Sequence, residues 1–184
     1  MVTLTIQAIE YGLPVTTLNR IGEMALYAFD GIFDDLAIQT SGQMVINHPV
    51  NPKILLRCIS SNEGEYTVGV VGSDLVSGTG RDEWQFEVAY GGKPGVVVST
   101  YRLDPASYEQ PNLELLTRRT AIQAIHGLGH NFSLNHHEPR KTRNGYLCPM
   151  GRKDMDSWRD YLFEVIDQRG LSLCNPCYNS VVVI

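Results

Sequence analysis

The sequence predicts an α/β fold in one compact domain, on three observations. The chain opens with a strand pattern followed by a helix pattern, three apolar runs divided by glycine-rich turns fill its middle, and a long helical pattern ends in closely spaced histidines. A length of 184 residues suits a single domain with a proper core. With a net charge of -5, a pI near 5.5 and no dense Lys/Arg cluster, nothing attracts nucleic acid or anionic lipid.

VTLTIQAI (residues 2–9) alternates and is rich in β-branched residues, so it predicts a strand. LPVTTLNRIGEMALYAF follows, with Leu18, Ile21, Ala25 and Ala28 at helical spacing and Thr16 or Thr17 as the expected cap. EYTVGVVGSDL, EWQFEVAYGG and PGVVVSTYRL predict strands of one sheet. From Asn112, a suitable cap, a helix runs to His130 with Leu115, Ile122 and Ile125 at helical intervals. A short final helix is expected in DMDSWRDYLFEVIDQRG, with Met155, Trp158, Leu162 and Val165 on one face and Gly170 as its stop. PRKTRNG predicts an exposed polar loop. Cys58, in KILLRCIS, is expected to be a buried small apolar residue.

The stretch IHGLGHNFSLNHHE (residues 125–138) holds four of the five histidines, His48 being the other. His126 and His130, four apart, share one helix face about one turn from each other, the geometry of two zinc ligands. His136 would face away if the helix continued, so a turn near Ser133 is needed to bring it back. Three histidines leave one tetrahedral position open, as catalytic zinc requires. The plainer alternative is core or surface histidines paired by chance. His137, Cys148, Cys174 and Cys177 offer a closed set of three thiolates and an imidazole, suited to structural zinc; CNPC by itself also fits a redox pair, though without the usual βαβ setting. Two zinc ions are therefore expected. The N-terminus lacks the basic and apolar regions of a signal peptide, and the terminal VVVI is too short to span a bilayer, so a cytoplasmic protein is expected.

With both constellations in view, the sequence resembles the archaemetzincins, a family of metzincin-type zinc peptidases whose pattern joins HExxHxxGxxH to an adjoining cysteine, Cys-x-Met and a terminal CxxC. HGLGHNFSLNH matches the first part through His126, His130 and His136, CPM supplies Cys148 and the Met-turn methionine Met150, and CNPC supplies Cys174 and Cys177. The resemblance covers roughly residues 65 to 178 and implies a metzincin-like zincin fold, with a twisted mixed sheet and active-site helix in residues 1–132 and a small C-terminal subdomain in 133–184. It implies peptide-bond hydrolysis at the histidine site and a peptide or protein substrate. EWQFEVAY would be the cleft's edge strand, to which an extended peptide adds as a further strand.

Three positions depart from the family pattern. Gly127 stands where a glutamate takes a proton from the attacking water, so weak or absent turnover is expected, the alternative being a non-catalytic zinc protein that binds peptide or a partner. Ser133 replaces the glycine at the helix exit, where a left-handed backbone would cost a serine about 1–2 kcal/mol. His137 replaces the adjoining cysteine. Glu138 is the sequence's candidate for a substitute base.

Overall fold

The computed structural model describes residues 1–10, 12–40, 46, 49–59, 65–76, 84–89 and 94–182; His48 lies outside them. β1 (Thr3–Ala8) leads into helix α1 (Val15–Ala28), which returns the chain to β2 (Asp35–Gln39). After a short helix α2 (Pro52–Leu55), the chain forms β3 (Glu65–Val71), β4 (Leu75–Val76), β5 (Trp84–Gln85), β6 (Glu87–Ala89) and β7 (Gly95–Ser99). Helix α3 (Leu113–Asn131) follows, then α4 (Trp158–Tyr161) and α5 (Asn175–Val182).

The main sheet has the order β2-β1-β3-β7-β6. Its first four strands are parallel, and β6 runs antiparallel to β7 at the edge. Because successive strand residues face opposite sides, Val96 and Val98 of β7 join Ile6 and Val68 in the main core under α1 and α3, while Val97 joins Leu55 and Leu75 on the other face. Burial on both faces explains why the parallel strands read as near-continuous apolar runs. This is the mixed α/β architecture expected from the sequence.

Several details differ from expectation. Helix α1 starts directly after Pro14 without a side-chain cap, so neither Thr16 nor Thr17 serves as one, and Thr17 is buried within the helix. The middle strands do not all join one sheet: Leu75–Val76 pairs with Trp84–Gln85 in a separate antiparallel ribbon, which interrupts EWQFEVAY before Glu87. β2, with little alternation, and α5, hidden behind CNPC, carry no clear local signal. The final amphipathic run begins as α4, capped by Ser157, but widens into a π-helix at Leu162–Ile166. The Asp167 amide donates to the Leu162 carbonyl at 2.9 Å, five residues back. Gly170 lies beyond the helix end and permits a close approach, since an added Cβ would stand 2.9 Å from Cβ of Tyr146. Cys58 is exposed, because the turn after α2 directs Leu55 inward and leaves the thiol outside, donating to the Ile54 carbonyl at 3.5 Å. No helix among the described residues is long and apolar enough to cross a membrane.

Candidate metal centres

Helix α3 delivers the first histidines. Asn112 caps it as expected, its Oδ1 accepting from the Leu115 amide at 3.0 Å. The buried helix end packs so tightly that glycine is required twice: a Cβ on Gly127 would lie 2.4 Å from Cγ1 of Val96, and one on Gly129 would lie 2.4 Å from Sδ of Met150. The helix closes with paired bonds from the Leu134 amide to the Gly129 carbonyl and from the Ser133 amide to the His130 carbonyl, both 2.9 Å. That closure places Ser133 at φ 60, the left-handed conformation anticipated from its position. The reversal turns His136 back toward the helix.

The three Nε2 atoms converge, with His126 to His130 and His130 to His136 both 3.1 Å and His126 to His136 3.0 Å. Nδ1 of His126 donates to the Pro149 carbonyl at 2.7 Å, and Nδ1 of His130 donates to the Leu134 carbonyl at 3.0 Å. A carbonyl only accepts, so both rings carry their hydrogen on Nδ1 and leave a bare lone pair on Nε2. Two lone pairs therefore point at one spot beside Nε2 of His136, and a cation placed there would take all three nitrogens as ligands. Tetrahedral zinc with Zn–N bonds of about 2.05 Å separates its nitrogens by about 3.3 Å, so this donor set fits the ion. Burial, assisted by the Arg169 guanidinium, holds His126 far below the ordinary imidazole pKa; burial also lowers His130 and takes His136 down to about 4. All three are therefore neutral ligands near pH 7. Buried Met150 packs against the helix end at Gly129, and the neighbouring Pro149 carbonyl orients His126.

The second cluster gathers His137, Cys148, Cys174 and Cys177, one ligand atom from each lying within 4.8 Å of all the others. Nε2 of His137 is 3.6 Å from Sγ of Cys174, and its Nδ1 is 2.6 Å from the Glu138 carbonyl. Sγ of Cys148 accepts from the Cys174 amide at 3.3 Å, and a hydrogen bond from the Cys177 thiol draws the Cys148 thiol well below its ordinary pKa. A thiolate ready among soft ligands is the donor chemistry of structural zinc, so this set also fits the ion.

A cleft of about 300 Å³ opens beside the first cluster, lined by Gln85, Glu87, His126, His136, Arg152 and Tyr161 among others. Glu87 is the residue that sequence reasoning missed. It reaches from edge strand β6 to put Oε1 3.6 Å from Nε2 of His126, and burial pushes its carboxyl up to about 7 although Arg169 pulls it down. A glutamate in an edge strand is ordinarily solvated, so no local pattern singles this one out. Glu138, the sequence's candidate base, is exposed and outside the cleft wall.

Sheet, histidine-bearing helix and methionine turn make a metzincin-like zincin fold. Among solved structures the chain is similar to archaemetzincins. The one from Archaeoglobus fulgidus, solved with malonate, matches with a TM-score of 0.70 at 20% identity over 97% of this chain and 99% of that one. The one from Methanopyrus kandleri matches at 0.73 and 20%, over 99% and 94%. A zinc-dependent peptidase from Methanocorpusculum labreanum matches at 0.71 and 16%, over 97% and 99%. The chain thus has the archaemetzincin fold along nearly its whole length. No protein-family model matches it, and no curated protein does.

Proposed function

We propose that this chain is a zinc-dependent peptidase of archaemetzincin type, with one zinc held by His126, His130 and His136 and a second, structural zinc held by His137, Cys148, Cys174 and Cys177. The observation that carries the reading is three imidazole Nε2 atoms converging at 3.0–3.1 Å beside a cleft, two of the rings locked by carbonyl partners. Zinc in such a site supplies a Lewis acid that polarises a peptide carbonyl and acidifies water. The chain's own residues bind and orient the substrate: among the described residues β6 ends the sheet, and an extended peptide or protein segment pairs with its outer side as an added strand. Gly127 cannot move a proton, so with no base from elsewhere turnover falls by about 10²- to 10⁴-fold. We place the protein in the cytoplasm, where its free thiols stay available as metal ligands.

A second reading, a zinc protein that binds peptide or a partner without cutting it, draws on the packing at position 127, where Val96 fills the space of a side chain. Turnover separates the two. Zinc-loaded protein is incubated with a quenched-fluorescent peptide library beside a His130→Ala control. His130-dependent cleavage supports the peptidase; zinc retention with peptide binding and no cleavage supports the second reading.

A further inference from the structure

We propose that Glu87 on β6 is the proton acceptor of this site, doing from the edge strand what a helix glutamate at position 127 does elsewhere. The assignment rests on the peptidase reading above.

Geometry comes first. Oε1 of Glu87 is 3.6 Å from Nε2 of His126, and Oε2 is 3.3 Å from the point where a Cβ on residue 127 would stand. The carboxylate therefore occupies the space that a side chain from position 127 would enter. It stands beside the triad rather than within it, because the ligand atoms that all lie within 4.8 Å of one another are those of the three histidines. Glu87 also lines the cleft together with His126 and His136, where a peptide would lie.

The second argument is an unmet hydrogen bond. Oε2 of Glu87 is buried and has no hydrogen-bond partner. A buried carboxylate oxygen left bare is costly, and a proton taken up by the carboxylate relieves that cost.

Gly127 and Glu87 then form one arrangement. The missing side chain on the helix makes room for the strand carboxylate and for Val96, and a glutamate on the helix would collide with both. In hydrolysis the water oxygen bonds to the carbonyl carbon while one of its protons passes to Glu87. Glu87 then gives that proton to the amide nitrogen as the C–N bond breaks, which yields an acid and an amine and leaves Glu87 ionised again.

The test compares zinc-loaded wild type with Glu87→Gln and Glu87→Asp. Three quantities are measured: zinc affinity by chelator competition, affinity for a dipeptide hydroxamate, and kcat and KM on a peptide the wild type cuts. Glu87→Gln is isosteric and removes a buried charge, so a melt at or above the wild-type Tm is expected. The proposal expects unchanged zinc affinity and KM, a kcat lower by about 10²- to 10⁴-fold, and an intermediate loss for Glu87→Asp. Retained kcat in Glu87→Gln overturns the assignment and leaves the peptidase reading intact. A zinc affinity weakened more than about tenfold overturns it too, because Glu87 would then be a ligand. A loss of hydroxamate affinity of about tenfold in Glu87→Gln is expected alongside the fall in kcat. If wild type cuts no peptide, the peptidase reading fails and the assignment is overturned with it.

Discussion

Gly127 shows how one residue carries two consequences, one chemical and one steric. Alanine there would gain about 1 kcal/mol of helix propensity, but its Cβ would meet β-branched Val96 at 2.4 Å, where no flexible chain end can swing aside. We expect Gly127→Ala to lose about 1–3 kcal/mol in urea denaturation, opposite in sign to the propensity change. Gly127→Glu is expected to lose at least as much, so it does not simply restore a helix base. Ser133 gives the converse case. At φ 60 it bears a left-handed backbone that glycine adopts freely, so Ser133→Gly should stabilise the protein by about 0.5–1 kcal/mol in the same assay. The histidines set the acid limit. A histidine whose folded pKa lies below the unfolded value contributes stability above that value and loses it as pH falls through the folded one. For His136 the window runs from 6.5 down to about 4. The metal-free protein should therefore melt at progressively lower temperature across that range, and His136→Ala should flatten the profile.

At the scale of elements, α3 is the scaffold, and its upper turns are anchored by charge. Arg119, almost fully buried, meets Asp167 through two hydrogen bonds of 2.7 and 2.6 Å and also bonds the Tyr108 hydroxyl. Its neighbour Arg118 donates to the Arg169 carbonyl at 2.5 Å. These contacts tie the helix to the segment after the π-helix, from which Arg169 in turn donates to the Gly151 carbonyl at 2.7 Å. Removing one partner leaves a buried charge unpaired, and Asp167→Ala should cost about 3–5 kcal/mol in urea denaturation. The helix was readable because its determinants are close in sequence: Asn112 caps its own first turn, and His126 and His130 lie one turn apart. The ribbon formed by Leu75–Val76 and Trp84–Gln85 was not readable, because strands that short have no period of their own and pair only where the sheet brings them together.

For the whole molecule, the second cluster is the clasp between the C-terminal segment and the body. Tyr178 on α5 donates to the Asp30 carbonyl at 2.9 Å, while Cys174 and Cys177 hold the start of that helix against Cys148 and His137. A short helix has little core of its own, so a metal held there would couple its binding to the folding of α5. Cys177→Ser should lower zinc content by about one ion per chain and speed hydrogen exchange across residues 171–182, with α3 staying protected.

The sequence by itself determined the α/β class, the long capped helix, the histidine triad, the cysteine cluster and the turn at Ser133. Each is a short-range pattern whose chemistry depends on neighbours in the chain. Only the tertiary structure decided the rest: that Cys58 is exposed, that Val96 and Met150 press on the two helix glycines, and that Glu87 reaches the triad from 39 positions before His126. Those are contacts between residues far apart in the chain, and they exist only once the sheet has set β6 beside the end of α3.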